Sequence, residues 1–250
     1  MQIYVHQDQA ALAAAAEAHA AEALKTALAN KPIVRIVAAT GNAQLQFLDR
    51  LCSRNDIDWS RVEVFHLDEY VGISKSHPAS FSGYIERHIE KRVQPRQTHL
   101  IDGEATDVED ERSRLSELVA AAEIDVAFVG IGENGHLAFN DPPADFETDI
   151  PFIVVELDHA CRRQQVGEGW FASLEDVPTL AYTMSMRQIL KSRTIICVVP
   201  EARKAEAVRN CLAPDAAVTP EHPASLLQTH EDTHVYLDRE SASLLPEEKT

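Results

Sequence analysis

Two kinds of apolar pattern alternate along the chain. Continuous apolar runs with the length and composition of buried strands occupy residues 33–37, 62–67, 126–131, 152–156, 194–199 and 235–237. Segments with helix-forming composition or helical spacing lie between them, at residues 10–28, 43–51, 80–89, 106–122, 185–190 and 201–212. Because buried strands that alternate with helices are typical of parallel βαβ units, we expect one α/β domain over residues 1–250. Its predicted architecture is a Rossmann-like open, mostly parallel sheet with helices on both faces.

A glycine-rich loop follows the apolar run at residues 126–131. It reads Gly130-Ile-Gly-Glu-Asn-Gly-His-Leu-Ala-Phe-Asn-Asp141. Glycines let the backbone approach a ligand closely, and open α/β sheets bind ligands at the carboxyl ends of parallel strands. His136 is the side chain best suited to proton transfer near neutral pH, and Asn134 and Asp141 flank it. This loop is therefore the first candidate for catalytic chemistry.

The glycine spacing of this loop also fits a dinucleotide-binding turn. That turn requires a helix to open directly at the glycines, so that the helix N-terminus can hold the pyrophosphate. Here Pro142 and Pro143 follow within a few residues, and proline disfavours helical backbone just before it. We therefore disfavour a nicotinamide cofactor and interpret the segment as a loop around a small ligand.

A second polar cluster follows the run at residues 62–67, which ends in His66-Leu-Asp-Glu-Tyr-Val-Gly72. The carboxyl end of a parallel strand is where catalytic groups sit, so Asp68 is a candidate general base. A solvated strand end or a helix cap is the structural alternative. Residues 77–81 are expected to form a loop over the same edge of the sheet.

Candidate anion-binding groups occur at three places. Thr40 and Gly41 follow the first buried run and precede a helix whose free N–H groups can bind phosphate. Lys204 lies near the start of the helix predicted after Pro200, where a cation is unfavourable unless it faces an anion. Arg162 and Arg163 are further candidates. Each cation alone is an ordinary surface residue, but together they could hold an anionic substrate.

Composition narrows the class of partner. The formal net charge of −17 argues against nucleic acid or an anionic membrane as a partner. No apolar run approaches the roughly 20 residues that span a bilayer, and we expect a cytoplasmic protein. The four scattered cysteines form no paired set, and the HExxH and GxSxG motifs are lacking. We predict proton-transfer chemistry that needs neither a metal nor a cofactor.

These motifs together resemble the glucosamine-6-phosphate deaminase (isomerase) family, a relative of the 6-phosphogluconolactonases. The resemblance rests on Leu67-Asp-Glu-Tyr-Val-Gly72 with His77-Pro78 behind it, and on the glycine-rich loop through Pro142. Thr40-Gly41 and Lys204-Ala205 are supporting matches. The matches keep the family's order and spacing from the first strand to Leu212.

The resemblance implies an enzyme of the hydrolase or aldose–ketose isomerase type. Members convert glucosamine 6-phosphate to fructose 6-phosphate and ammonia. His136 would assist ring opening, Asn134 and Asp141 would orient it, and Asp68 would move a proton from carbon 2 to carbon 1.

For the other end of the substrate, the resemblance implies a phosphate site at Thr40, Gly41 and Lys204, with Arg162 or Arg163 as the arginine. Family members are often oligomeric, which leaves a homo-oligomer open.

Three positions depart from the family pattern. The best-known members carry Asp where this chain has Asn134, and Glu where it has Asp141. Gly41-Asn-Ala-Gln44 replaces the usual Gly-Gly-Thr-Pro, which removes a hydroxyl from the phosphate loop. Two alternatives therefore stay open beside the deaminase: a lactonase acting on a phosphorylated sugar lactone, and a non-catalytic sugar-phosphate sensor. Asp68 favours the deaminase, because lactone hydrolysis needs no base at carbon 2.

Overall fold

A seven-stranded parallel sheet forms the centre of the molecule. The computed structural model describes residues 1–157, 159–167 and 169–246. The strand order is β1-β10-β9-β6-β2-β3-β5, and every neighbouring pair is parallel. These strands are β1 (Gln2–His6), β2 (Val34–Ala38), β3 (Val62–His66), β5 (Gln97–His99), β6 (Val126–Val129), β9 (Thr194–Val199) and β10 (Thr233–Asp238).

Helices connect the strands, and four of them begin at side-chain caps. Their bounds are α1 (Gln9–Asn30), α2 (Leu45–Leu51), α3 (Phe81–Ile85), α4 (Lys91–Val93), α5 (Val108–Ala120), α6 (His159–Gly167), α7 (Met186–Leu190) and α8 (Ala205–Leu212). A π-helical turn joins α3 to α4. Asp8, Ser80, Asp107 and Ser185 accept hydrogen bonds from N–H groups in the first turns of α1, α3, α5 and α7. Within the described ranges no helix has the length and apolarity that a membrane crossing requires.

Both faces of the sheet are covered, as the continuous apolar runs predicted. Alternate residues of β2 point to opposite faces: Ile36 packs with α1 and α2, whereas Val37 packs with α5, α7 and α8. Ile196 and Cys197 of β9 divide between the same two apolar clusters. The predicted fold class, an open parallel sheet with helices on both faces, is confirmed.

A second, antiparallel sheet lies beside the central one. It has the order β4-β8-β7, with β4 at Asp68–Tyr70, β7 at Phe152–Glu156 and β8 at Leu180–Met184. The prediction of a strand at residues 152–156 is confirmed, but its assignment to a parallel βαβ unit is wrong. Its partner β8 returns antiparallel, and the polar and acidic strand β4 was not predicted because its residues lack an apolar pattern.

Candidate active site

A cleft opens at the carboxyl edge of the central sheet, between β2 and β6. β2 and β6 are neighbours at the centre of the sheet. After β2 the chain adds β3 and β5 toward one edge, and after β6 it adds β9 and β10 toward the other edge. Such a reversal separates the loops of the two central strands and is where α/β sheets bind ligands. The loops after β2, β3, β6 and β9 all line the cleft, and they bring together Thr40, Gly41, Asp68, His136 and Lys204.

Asp68 is a buried carboxyl group on the wall of this cleft. Only 7% of the residue is exposed, and among the described residues none donates a hydrogen bond to its carboxyl oxygens. Burial, with a smaller contribution from the charge of Glu69, raises the pKa of Asp68 well above its ordinary value. A carboxylate without partners binds a proton readily, which is the property that a general base needs.

The neighbouring acid, Glu69, has a different role. Its carboxylate accepts hydrogen bonds from the Ser80 hydroxyl at 2.7 Å and from the backbone N–H groups of Tyr70, Phe81 and Ser82 at 3.0, 3.1 and 2.7 Å. These bonds tie β4 to the start of α3. The helix-cap alternative considered for this cluster therefore describes Glu69, whereas Asp68 faces the cleft. The loop predicted at residues 77–81 also lines the cleft, through residues 78–81.

His136 and its two flanking polar residues form one hydrogen-bonded unit. The imidazole Nδ1 lies 3.0 Å from Asp141 Oδ1, and the Asn134 amide donates to the same oxygen at 2.9 Å. Asn134 Oδ1 also accepts the His136 backbone N–H at 3.1 Å. Asn134 thus supplies a donor that an acid at this position would lack when ionised. The His136 side chain, held at Nδ1, is part of the cleft lining.

Asp141 stays ionised beside this histidine. Burial acts to raise the pKa of Asp141, but the hydrogen bonds and charge from His136, together with the Asn134 amide and the Cys161 thiol, hold that pKa below its ordinary value. An anion at Nδ1 orients the ring and stabilises its protonated form during proton transfer.

Gly132 provides the space in which the His136 ring lies. A Cβ atom at this position would be 2.2 Å from the imidazole Nε2, far inside van der Waals contact. We expect Gly132→Ala to displace the ring and to lower kcat by about 100-fold, because misplacing a catalytic group by about 1 Å has an effect of that size. Steady-state kinetics checks this. Gly167→Ala is the matched control, because a Cβ there meets no atom within 4 Å. Equal kcat values for Gly132→Ala and Gly167→Ala would contradict the assignment of His136 to catalysis.

One end of the cleft is cationic. Lys204 is 6% exposed and immediately precedes α8, and Arg203 beside it also lines the cleft. The Arg203 guanidinium donates to Glu133 of the glycine-rich loop at 2.9 Å and to Glu201 at 2.5 Å. Thr40 and Gly41 line the same cleft from the loop after β2. This end therefore combines the cations Arg203 and Lys204 with the loop after β2. Because the protein carries a net negative charge, an anionic substrate group needs such local cations to bind.

Arg162 and Arg163 do not contribute to the cleft lining. The Arg162 guanidinium donates to the carbonyls of Leu174 and Val177 at 2.6 and 3.0 Å, and Arg163 is exposed and contacts His159. The structure does not bring them together with the other predicted phosphate residues, because both belong to a helix whose contacts direct them elsewhere. Arg203 lines the cleft but was not among the predicted residues, and its position next to Lys204 was the available signal.

Aromatic side chains form another part of the cleft wall. Phe81, Phe139 and Trp170 line it, and Phe81 stacks on Phe139 with ring centroids 5.7 Å apart. Gln165 of α6 also lines the cleft and accepts a hydrogen bond from the Tyr70 hydroxyl at 2.8 Å. No sequence pattern predicted this wall, because α6 contacts β4 only in the folded chain.

The fold and the cleft define an α/β protein with a buried carboxyl group, an Asp-linked histidine and a cationic end in one site. Residues 7–236 match the family of glucosamine-6-phosphate isomerases/6-phosphogluconolactonase, and the chain belongs to that family. The resemblance stated from the motifs is thereby confirmed.

Individual relatives are similar over most of their length. A glucosamine-6-phosphate deaminase from Exiguobacterium sibiricum is 37% identical over 210 residues, which cover 84% of this chain and 81% of the relative. One from a Thermoanaerobacter species is 34% identical over 235 residues, 92% of this chain and 90% of the relative.

Solved structures show the same relationship. A monomeric glucosamine-6-phosphate deaminase is 30% identical, with a TM-score of 0.88 over 98% of this chain and all of that one. A 6-phosphogluconolactonase from Thermotoga maritima is 18% identical, with a TM-score of 0.78 over 95% of this chain and 99% of that one, and shares the fold.

Proposed function

We propose that this protein deaminates an amino-sugar 6-phosphate, with glucosamine 6-phosphate as the first candidate, to a ketose 6-phosphate and ammonia. The observation that carries the proposal is the pair of proton-transfer groups in one cleft: Asp68, buried without a hydrogen-bond partner among the described residues, and His136, held by Asp141. The cationic end supports a phosphorylated substrate, and relatives named as deaminases support the reaction type.

The proposed reaction begins with ring opening. His136 donates a proton to the ring oxygen as the anomeric hydroxyl loses its own, which produces an aldehyde at carbon 1. Asp68 then removes the proton from carbon 2 and the electron pair forms an enolamine, while the proton released by the anomeric hydroxyl returns through His136 to the carbon 1 oxygen and makes it a hydroxyl. The proton returns to carbon 1 and leaves an imine at carbon 2. Water adds to that imine and ammonia departs, so that one water is consumed for each ammonia released.

Binding at the phosphate end keeps the reacting carbons in place. A phosphate between Thr40, Gly41, Arg203 and Lys204 would fix the sugar across the cleft toward Asp68 and His136. Holding a substrate in this way makes proton transfer effectively intramolecular, which lowers the barrier.

The test is ammonia release by the purified protein from glucosamine 6-phosphate, coupled to detection of fructose 6-phosphate, with no metal or nucleotide added. Equal amounts of both products support the proposal. Hydrolysis of 6-phosphogluconolactone without ammonia release would favour the lactonase. Tight binding of the sugar phosphate, with neither reaction, would favour the sensor.

Arg203 is expected to contribute to phosphate binding more than to chemistry. We expect Arg203→Gln to raise KM and the inhibition constant of inorganic phosphate by about 10-fold or more, as loss of one hydrogen bond to a charged group predicts. The turnover number should change little. Arg163→Gln is the control, since it removes an exposed arginine outside the cleft. An unchanged inhibition constant in Arg203→Gln would place the phosphate elsewhere.

A further inference from the structure

His66 is a buried histidine that the proposed reaction does not use. It is the last residue of β3 and only 1% exposed. Its Nδ1 lies 2.9 Å from the backbone carbonyl oxygen of Asp68, and its Nε2 lies 3.0 Å from the backbone nitrogen of Ile101. The ring therefore connects the backbone of the candidate base to the loop that follows β5.

The two contacts determine where the proton of this ring lies. A backbone N–H can only donate and a carbonyl oxygen can only accept, so Nε2 accepts from Ile101 and Nδ1–H donates to Asp68. The Ser82 hydroxyl, 3.3 Å from Nε2, is already engaged as a donor to the Ile101 carbonyl at 2.7 Å. Burial lowers the pKa of His66 to about 4, so the ring is neutral with its proton on Nδ1.

We propose that His66 is a positioning residue for the base, holding the Asp68 backbone through the bond from Nδ1–H to its carbonyl oxygen. The bond joins residues two apart at the point where the chain leaves the parallel strand β3 and enters the antiparallel strand β4. No hydrogen bond from a described residue holds the Asp68 carboxyl group itself. Its location therefore depends on the backbone to which it is attached. This inference rests on the proposed role of Asp68 in the deaminase reaction.

Two substitutions separate the contacts of the ring. Asn places an amide N–H close to where Nδ1–H lies, so His66→Asn keeps a donor for Asp68 and loses the contact to Ile101. Gln places its amide oxygen close to Nε2, so His66→Gln keeps an acceptor for Ile101 and loses the donor to Asp68. Each variant loses one buried hydrogen bond, and we expect similar decreases in the urea midpoint of unfolding.

Activity should nevertheless differ between the two variants. We expect His66→Gln to lower kcat for ammonia release by about 10- to 100-fold with KM nearly unchanged, because the base is misplaced while the phosphate end is intact. His66→Asn should stay within about threefold of the wild type, since less than 1 kcal/mol of transition-state stabilisation is then lost. If both variants lose activity in proportion to their stability, His66 is a structural residue only.

A second measurement does not depend on turnover. The Asp68 carboxyl can be titrated by carbon-13 NMR in the wild type and both variants, with its signal assigned by its absence in Asp68→Asn. We expect the pKa of Asp68 to stay raised in the wild type and in His66→Asn, and to fall toward the ordinary value in His66→Gln as the carboxyl gains solvent. Identical titrations in both variants would overturn the proposal. A wild type that releases no ammonia would refute the deaminase reaction, while the titration would still decide the role of His66.

Discussion

Asp68→Asn is expected to lower kcat for ammonia release by about 1,000-fold, within the range that general acid–base catalysis contributes. The amide is nearly the same size as the carboxyl group but cannot remove the proton from carbon 2. Because Asp68 is assigned to proton transfer and not to phosphate binding, the dissociation constant of the sugar phosphate should change little. Rapid-quench kinetics and a binding titration on the same preparation would measure both quantities.

The matched control is Asp215→Asn, which makes the same chemical change at an exposed position outside the cleft. It should retain full activity. If Asp68→Asn still exchanges the carbon 2 proton of the substrate with solvent at the wild-type rate, another group is the base.

The same substitution should stabilise the protein at neutral pH. The folded-state pKa of Asp68 is raised above the ordinary value of 3.8. The folded state therefore binds the proton more tightly, and the free energy of unfolding of the wild type falls as pH rises through this interval. Asn removes that penalty, and we expect a gain of about 1–3 kcal/mol at pH 7, the range for a buried polar group without a partner.

Urea unfolding at several pH values tests the sign of this stability difference between Asp68→Asn and the wild type. The advantage of Asp68→Asn should shrink as pH falls and disappear below 3.8, where the wild-type carboxyl is protonated in both states. An advantage that does not depend on pH would show that packing, and not the buried charge, separates the two proteins. Asp68 would thus be a residue whose function lowers stability.

The central strands were predictable because burial on both faces makes them continuous apolar runs. The prediction for β9 matches the observed bounds, Thr194–Val199. The strands that were missed have other reasons to form. β1 lies at the sheet edge and exposes Gln2 and Val5, so it lacks a continuous apolar run. The acidic strand β4 forms because the Glu69 carboxylate accepts four hydrogen bonds. A local pattern cannot report bonds that form only after the chain has folded.

Site residues were predictable where they directly follow a strand of the parallel sheet. Asp68 and His136 follow the ends of β3 and β6, and the carboxyl ends of parallel strands share one edge. The arginine that lines the cleft, Arg203, was not predicted in this way. Arg162 and Arg163 lie on α6. The orientation of α6 depends on its packing against β4, and that packing cannot be predicted from a local sequence pattern.

His136→Gln is expected to lower kcat by about 100- to 1,000-fold, again the range for general acid–base catalysis. The loss should fall on ring opening, because His136 is assigned to the ring oxygen. Binding of an amino-alditol 6-phosphate, which has no ring to open, should therefore stay close to wild type. A binding loss as large as the rate loss would instead make His136 a binding residue.

Asp141→Asn should have a smaller effect on rate and an effect on stability opposite to that of Asp68→Asn. An Asn carbonyl can still accept from His136 Nδ1, so we expect a loss in kcat of about tenfold, the lower end for residues that orient a catalytic ligand. The pKa of Asp141 is lowered in the folded state, so its carboxylate stabilises the protein above pH 3.8. Asp141→Asn should therefore be less stable than the wild type at pH 7, with a difference that vanishes in acid. Two buried acids would then shift stability in opposite directions, because the Asp141 carboxylate has hydrogen-bond partners and the Asp68 carboxylate has none among the described residues.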